Sequence, residues 1–561
     1  MDYKKHIASK LNIEGLTCEQ VESFIIVTAD NSFGDYSFPC FKLASIFRKS
    51  PVMIASELQQ KFVLDEYISK VEAVNGYLNF TINRSGYAKS VLDKIILEKD
   101  SYGSDIIGNG KTVCIDYSSI NIAKPFHIGH LSTTVIGGAL YRIYKFLGYN
   151  VVGINHLGDY GTQFGKLIYA YKTWGDKEQV EKGGISELTR LYVKYHEESE
   201  KDSSLDDIAR EYFKKIENGD EECNNLFKWF KEITLKDVVK IYDKLGITFD
   251  SYNGESFYND KMDIVVEELE KSGLLKESDG AKIVDLQEYD MPPCLILRSD
   301  GASLYATRDL AAAYYRKKTY NFDKCLYVVA YQQNLHFKQI FKVLELLGKD
   351  YAKNMEHIAF GMVSLEEGTM STRKGKVILL EDVINKCVEK AYSIINEKNP
   401  DLEGKELVAE QVGTGAVIFG ALSNSRIKDI VFSYDKVLSF EGETAPYCQY
   451  TYARSVSVLT KAGEYDKNFT INELLPQEYA IISELGRFND VVKAAAEKNE
   501  PSLVTRYCID ICSLFNKFYF DCKILGEEDE IKNRRLAITE ATKTVIQNSL
   551  KLLGIKTPQK M

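Results

Sequence analysis

The spacing of apolar and polar positions changes along this chain, and each change predicts a different kind of element. Val113 to Ile115 form an apolar run that reads as a strand, Ser118, Ser119 and Asn121 supply loop chemistry, and from His130 onward Leu131, Val135, Ile136 and Leu140 recur at helical spacing. Val151–Asn155 reads as a second strand, and Cys325–Ala330 as another, followed by a helix from His336 to Leu347. Such alternation over residues 111–380 predicts a doubly wound parallel sheet. Residues 175–260 are rich in Lys, Glu and Tyr at helical spacing and read as a helical insertion. Ahead of the sheet, helical patterns around Cys18–Ile26 and Val52–Lys61 precede a strand-like Gly76–Ile82, and Tyr102-Gly103-Ser104 with Gly108-Asn109-Gly110 marks a joint. Beyond residue 385 strand signals nearly vanish, which predicts a helical bundle. The expected fold is therefore α/β, with an N-terminal α+β domain (1–105), a parallel-sheet domain (106–385, insertion near 175–260), a connecting helical segment (386–430) and a C-terminal helical domain (431–561).

Composition narrows the function classes. The chain has 561 residues and is 45% hydrophobic, ample for more than one conventional core. It opens with no basic stretch followed by an apolar one, and nowhere do eighteen apolar residues run together, so the expectation is a cytoplasmic protein without membrane contact. Its 11 cysteines include no CxxC pair and no Cys/His cluster of zinc spacing; Cys508 and Cys512 share a helical face, but no second ligand pair accompanies them. No metal site is expected, and the thiols read as reduced and mostly packed as small hydrophobes. A net charge of −10 argues against indiscriminate coating of nucleic acid. A specific RNA partner needs only a local basic surface. Lys532, Arg534, Arg535, Lys543, Lys551, Lys556 and Lys560 supply one near the end, although a solvated helix face explains any one of them equally well.

The tetrapeptide His127-Ile128-Gly129-His130 carries the most chemistry. Two imidazoles three positions apart at a helix N-terminus point the same way, where the dipole and free N–H groups favour a phosphate. Gly129 leaves room for a nucleotide against bare backbone, and each ring can donate to an oxygen gaining charge during attack at phosphorus. An isolated HxxH is otherwise a helix cap or a metal pair. The intervening Gly and the preceding Ser/Asn/Lys loop favour phosphate.

Five stretches together resemble the class I arginyl-tRNA synthetases. In order they are Asp116-Tyr117-Ser118-Ser119, Asn121 through His130, Asn155-His156-Leu157-Gly158-Asp159-Tyr160-Gly161-Thr162-Gln163-Phe164-Gly165, Tyr305-Ala306-Thr307-Arg308-Asp309 and Met370-Ser371-Thr372-Arg373-Lys374-Gly375. HxGH is shared with other nucleotidyl transferases, whereas the segments starting at Asn155 and Tyr305 are far more specific, and the similarity spans essentially the whole chain. The resemblance implies a class I Rossmann-type catalytic domain and a two-step ligase. Arginine attacks the α-phosphate of ATP to give arginyl-adenylate, and the arginyl group passes to the 3′-terminal ribose of its tRNA. It also implies Mg²⁺ with the ATP, no permanently bound cofactor, bound tRNA for the first step, and a monomer.

Roles follow from the same resemblance. A planar guanidinium pairs bidentately with a carboxylate, and Asp309 is the expected partner, with Tyr305 beside it, Asp116 nearby, and Asn121 and Gln333 around the amino-acid end. Without the resemblance, Asp309 reads as a cap or a partner of Arg308 or Arg316, and Tyr305 as core. His127, Gly129, His130, Gln332, His336, Met370 and Ser371 are expected to face ATP, and His156 and Asp159 to form a wall of the site. The Met370 segment aligns with the KMSKS loop of the class, but Thr369 and Thr372 stand at the two lysine positions. Lys124, Arg373 and Lys374 are the candidates to meet the leaving pyrophosphate. Ile120 and Ser132 depart from the usual Pro and Arg near the first motif. For RNA, Tyr447, Tyr450 and Arg454 fall on one helical face and Tyr519 adds a ring, while Asn75, Tyr77 and Asn79 resemble the stretch by which the family touches the D-loop. Bundle core is the competing reading for each tyrosine.

Overall fold

The computed structural model describes residues 3–28, 33–65, 67–122, 125–298, 305–365 and 378–561. Lys124, Met370, Ser371, Arg373 and Lys374 lie outside the described residues. The chain divides into two compact units. One gathers residues 1–99, 461–486 and 514–541, and the other 100–460, 487–513 and 542–561, so the helical C-terminal region contributes to both.

The first unit is built on an antiparallel sheet of β1 (Ile26–Val27), β2 (Tyr36–Pro39), β3 (Ile68–Val74) and β4 (Tyr77–Ile82), in the order β1-β2-β4-β3. Asn75 and Gly76, at φ 49° and 84°, form the two-residue turn that the right-handed twist of a β3–β4 hairpin demands. Leu78, Phe80 and Ile82 alternate into a core with Phe38, Ile7 and Val21. Of these strands only β4 is legible in the sequence. Its partners are short or carry mixed faces, such as Ser69, Lys70 and Glu72 in β3, and their pairing comes from tertiary context.

The second unit holds the parallel sheet. β5 (Thr112–Asp116) is followed by β6 (Asn150–Ile154) on one side. After the helices Lys177–Ser199, Ser204–Glu217 and Glu221–Leu245 and an antiparallel sheet of β7 (Leu275–Ser278), β8 (Ala281–Val284) and β9 (Cys294–Leu297), the chain returns as β10 (Lys324–Tyr327) on the other side of β5. β11 (Met355–His357) completes the order β11-β10-β5-β6, all parallel. The winding reverses between β5 and β10, where open α/β sheets gather ligands beyond the carboxyl ends of their strands. A short parallel pair, β12 (Val363–Leu365) with β13 (Ile430–Phe432), places a strand beyond residue 385, where the sequence pattern predicts helix alone.

The helix Leu131–Phe146 is buried on every side from Leu131 to Leu140, and its buried Thr133 and Thr134 hydroxyls donate to Val328 O and His130 O. Gly137 lets it approach the site: a Cβ there would stand 2.2 Å from the Tyr117 side chain.

Candidate active site

Asp116 of β5, Tyr327 of β10 and Ile154 of β6 share one register level at the carboxyl ends of their strands. Beyond that level lies a cavity of about 420 Å³, lined by Asp116, Ser119, His156, Glu255, Tyr305, Arg308, Asp309, Gln333 and His336 among others. A larger concavity of about 960 Å³ near Tyr289 and Lys353 is more open, and Lys342 and Lys349 on its rim are paired to Glu345 and Glu268. It gathers no comparable chemistry.

The loop after β5 is held in an uncommon backbone. Ser118 and Ser119 sit at φ 70° and 45°, in the left-handed region that non-glycine residues avoid. Ser118 N donates to Thr133 Oγ1 (3.0 Å), Thr133 Oγ1 donates to Val328 O (2.7 Å), and Ser119 Oγ donates to Asp116 Oδ1 (2.7 Å). These bonds over-determine the loop, the condition under which such strain persists.

The carboxylates of the cavity each have a partner, and none is the one that local sequence suggested. Asp309 Oδ2 lies 2.6 Å from His336 Nε2, and Asp309 Oδ1 lies 3.9 Å from His156 Nε2. Burial pushes the Asp309 carboxyl up, but the hydrogen bond to His336 and the nearby cations win, and it titrates below its usual range. Asp116, expected beside the guanidinium, is 4% exposed and bound 2.6 Å from Arg316 Nη2. Arg316 is equally enclosed; burial alone would lower its pKa, and Asp116 raises it well above normal. Arg308 lies 3.7 Å from Glu255 and over the Tyr160 ring at 4.4 Å. Glu255 was missed by the sequence reading: it begins the 3₁₀ segment Glu255–Lys261, with no motif around it. Burial pushes its carboxyl up to about 7, against the pull of Arg308. His156 is lowered by burial, its Nδ1 buried without a hydrogen-bond partner.

Other expected residues divide. Tyr305 opens the helix Tyr305–Tyr320 one turn before Asp309, is 64% exposed and lines the cavity, so it is not core packing. Gln333 also lines it; Gln332 is exposed and does not. His336, expected to face a nucleotide, is occupied with Asp309. Asn121 is bridged to Gly158, which lines the cavity. Asp159, expected at the wall, is fully buried and accepts from Lys231, Ser256 N and Ser256 Oγ (2.5, 2.9 and 2.8 Å). It anchors the segment that carries Glu255. Ile120 and Ser132 are both buried, so the departure at Ser132 removes no surface cation.

The two motif histidines form one device. His127 Nδ1 accepts from Gly129 N (3.1 Å), His130 Nδ1 accepts from His127 N (3.2 Å), and the ring centroids are 4.0 Å apart. With both Nδ1 atoms accepting, the neutral tautomer carries its proton on Nε2, which makes each ring a donor. His127 bridges to Leu379, Ile128 N donates to Ile378 O (3.1 Å), and Leu380 N donates to Phe126 O (3.0 Å).

The RNA candidates are brought together only in part. Tyr77 is exposed, with its ring 5.0 Å from Phe41. Asn79 is buried and accepts from Ser37 Oγ (2.6 Å), while Asn75 belongs to the turn. The three therefore do not make one open strand face. On the helix Ala445–Ala462, Tyr450 is exposed with Arg454 stacked over its ring at 4.9 Å, and Tyr447 is half-buried. Tyr519 is exposed beside Phe520, which the sequence reading passed over and which is 90% exposed.

Comparison with known proteins places the whole chain. Residues 91–434 match the family model described as tRNA synthetases class I (R), catalytic domain; residues 448–561 match the DALR anticodon binding domain, and residues 1–82 the arginyl tRNA synthetase N terminal domain. Curated relatives named arginine-tRNA ligase, from Alkaliphilus metalliredigens and Clostridioides difficile, are each 53% identical over the full length of both chains. The solved Thermus thermophilus arginyl-tRNA synthetase shares the fold, with a TM-score of 0.84 at 24% identity over 100% of this chain and 99% of that one.

Proposed function

This chain belongs to the class I arginyl-tRNA synthetase family, and we propose that the cavity between the ends of β5 and β10 is where it takes up its amino acid. It is a ligase that attaches arginine to tRNA with consumption of ATP. The observation that carries the placement is that two carboxylates, Asp309 and Glu255, line one cavity at the switch point of the sheet. A guanidinium offers donors on more than one edge and pairs with planar acids in a geometry that a lysine ammonium cannot copy. Tyr305 stands at the mouth, and Gln333 and Asn121 serve the amino-acid end. Asp116 acts through Arg316 and Ser119, which it fixes as the floor, and His336 orients Asp309.

In the first step a carboxylate oxygen of arginine attacks the α-phosphorus as the bond to pyrophosphate breaks. The Nε2–H groups of His127 and His130 meet the charge that grows on phosphate oxygens, and Gly129 lets the nucleotide lie close. Lys124, Arg373 and Lys374 supply the cations for pyrophosphate, with Met370 and Ser371 beside the latter two in sequence and Gln332 on the nucleotide side. Mg²⁺ enters on the triphosphate as part of that substrate. In the second step the terminal ribose hydroxyl attacks the activated carbonyl and AMP leaves.

In this reading the catalytic domain spans 106–385, a connecting segment 386–430, and the regions 1–105 and 431–561 hold the tRNA. Asn75, Tyr77, Tyr450, Tyr519 and, less exposed, Tyr447, Arg454 and Asn79 are their contacts. No helix among the described residues is long and apolar enough to cross a membrane. In this reading the enzyme acts in the cytoplasm as a monomer. Pyrophosphate exchange measured with each amino acid, with and without tRNA, tests the reading. Exchange with arginine alone, and only with arginine tRNA present, is expected; exchange driven by another amino acid and not by arginine overturns it.

A further inference from the structure

Cys508 and Cys512 sit one turn apart on the helix Ser502–Asp521, and Cys448 on the helix Ala445–Ala462 brings a third sulfur to them. The three sulfurs all lie within 4.8 Å of one another, and all three residues are fully buried. The sequence showed the first two as an incomplete ligand pair; folding completes a trio. Among the described residues no histidine or carboxylate joins it as a fourth ligand.

Ligand number and charge decide what such a trio can hold. Three sulfurs select a soft, thiophilic centre. Zinc in a closed site takes four ligands, and three thiolates around a divalent or monovalent ion leave net negative charge in an apolar interior, where unpaired charge is costly. A trivalent centre with a lone pair in its fourth position closes the site as a neutral complex. We propose that Cys448, Cys508 and Cys512 form a binding site for a trivalent thiophilic metalloid of the arsenite class, held by three sulfur bonds.

The exchange balances without an oxidant. Each As–O bond of As(OH)₃ breaks as an As–S bond forms, each thiol proton leaves with hydroxide as water, three waters are released, and arsenic stays trivalent. Because the trio is buried, loading waits on local opening and is slow. Once loaded, the centre ties the two helices together.

The test uses the full-length, reduced protein and arsenite without oxygen. Expected are one arsenic per chain with three hydrogens lost by native mass measurement, three sulfur neighbours by arsenic-edge X-ray absorption, and a higher unfolding temperature. Alkylation after denaturation should find Cys448, Cys508 and Cys512 protected in the wild-type chain, which needs no variant to fold. Cys448→Ala, Cys508→Ala and Cys512→Ala should each weaken retention about tenfold or more, while Cys387→Ala, a buried thiol outside the trio, binds like wild type. No retained arsenic, two sulfur neighbours, protection of other cysteines, or undiminished binding by the three variants overturns the proposal.

Discussion

His336 Nε2 stands 2.6 Å from Asp309 Oδ2, and this contact helps hold the half-buried carboxyl below its usual range against the burial that pushes it up. Arginine needs the ionised form, so activity falls as pH drops through the Asp309 pKa. His336→Ala removes the principal lowering influence and should move that acid limb to higher pH. The shift is read in the pH profile of kcat/KM for arginine, in a Glu255→Gln background that removes the carboxyl titrating near 7. An unmoved limb would mean that His336 has no hold on Asp309.

Glu255 supplies its own pH dependence. Its carboxyl is pushed up to about 7, so it gains charge as pH rises through neutrality. The KM for arginine should fall over that interval, and Glu255→Gln should abolish the change. The effect on stability has the opposite sense. A group whose folded pKa exceeds its unfolded value of 4.5 costs nothing below that value and progressively destabilises the substrate-free fold as pH rises to about 7. Glu255→Gln should flatten denaturant midpoints across this window.

Arg316 and Asp116 form a buried pair whose halves are worth more together than apart. Arg316→Leu leaves an enclosed carboxylate uncompensated and should cost about 3–5 kcal/mol in chemical denaturation. Asp116→Asn combined with Arg316→Leu should recover part of that loss. Equal stability of the single and double variants would contradict the pairing.

His127→Ala and His130→Ala test the donors on Nε2. Each should lower the rate of adenylate formation on the order of 10²–10³-fold with a smaller change in the KM for ATP, since they act on charge that appears during reaction. Loss of ATP affinity with an intact rate would assign them to ground-state binding.

Where local pattern carried the signal, the sequence could be read. The apolar runs at Val113 and Val151 and the helix after His130 became β5, β6 and the helix Leu131–Phe146, and Tyr305 and Asp309, one turn apart, both reach the cavity. What local pattern does not encode was lost. Arg308 and Arg316 looked like equal neighbours of Asp309, but they pair with Glu255 and Asp116, the latter 200 positions away. Glu255 follows the helical insertion and only folding brings it to the cavity. β7 to β9 escaped notice because they are four residues each, and β7 exposes Lys276, Glu277 and Ser278. Cys448 gave no sign of its partners because they lie on another helix, far along the chain.

Two acids, Asp309 and Glu255, read the charge of the substrate side chain in this enzyme. The most direct measurement compares kcat/KM for arginine with that for citrulline, its neutral analogue, in the wild-type enzyme and in Asp309→Asn. Wild type should favour arginine by a factor on the order of 10⁴, and the variant should lose most of that preference chiefly through arginine. A preference unchanged by Asp309→Asn would mean that Asp309 does not read that charge.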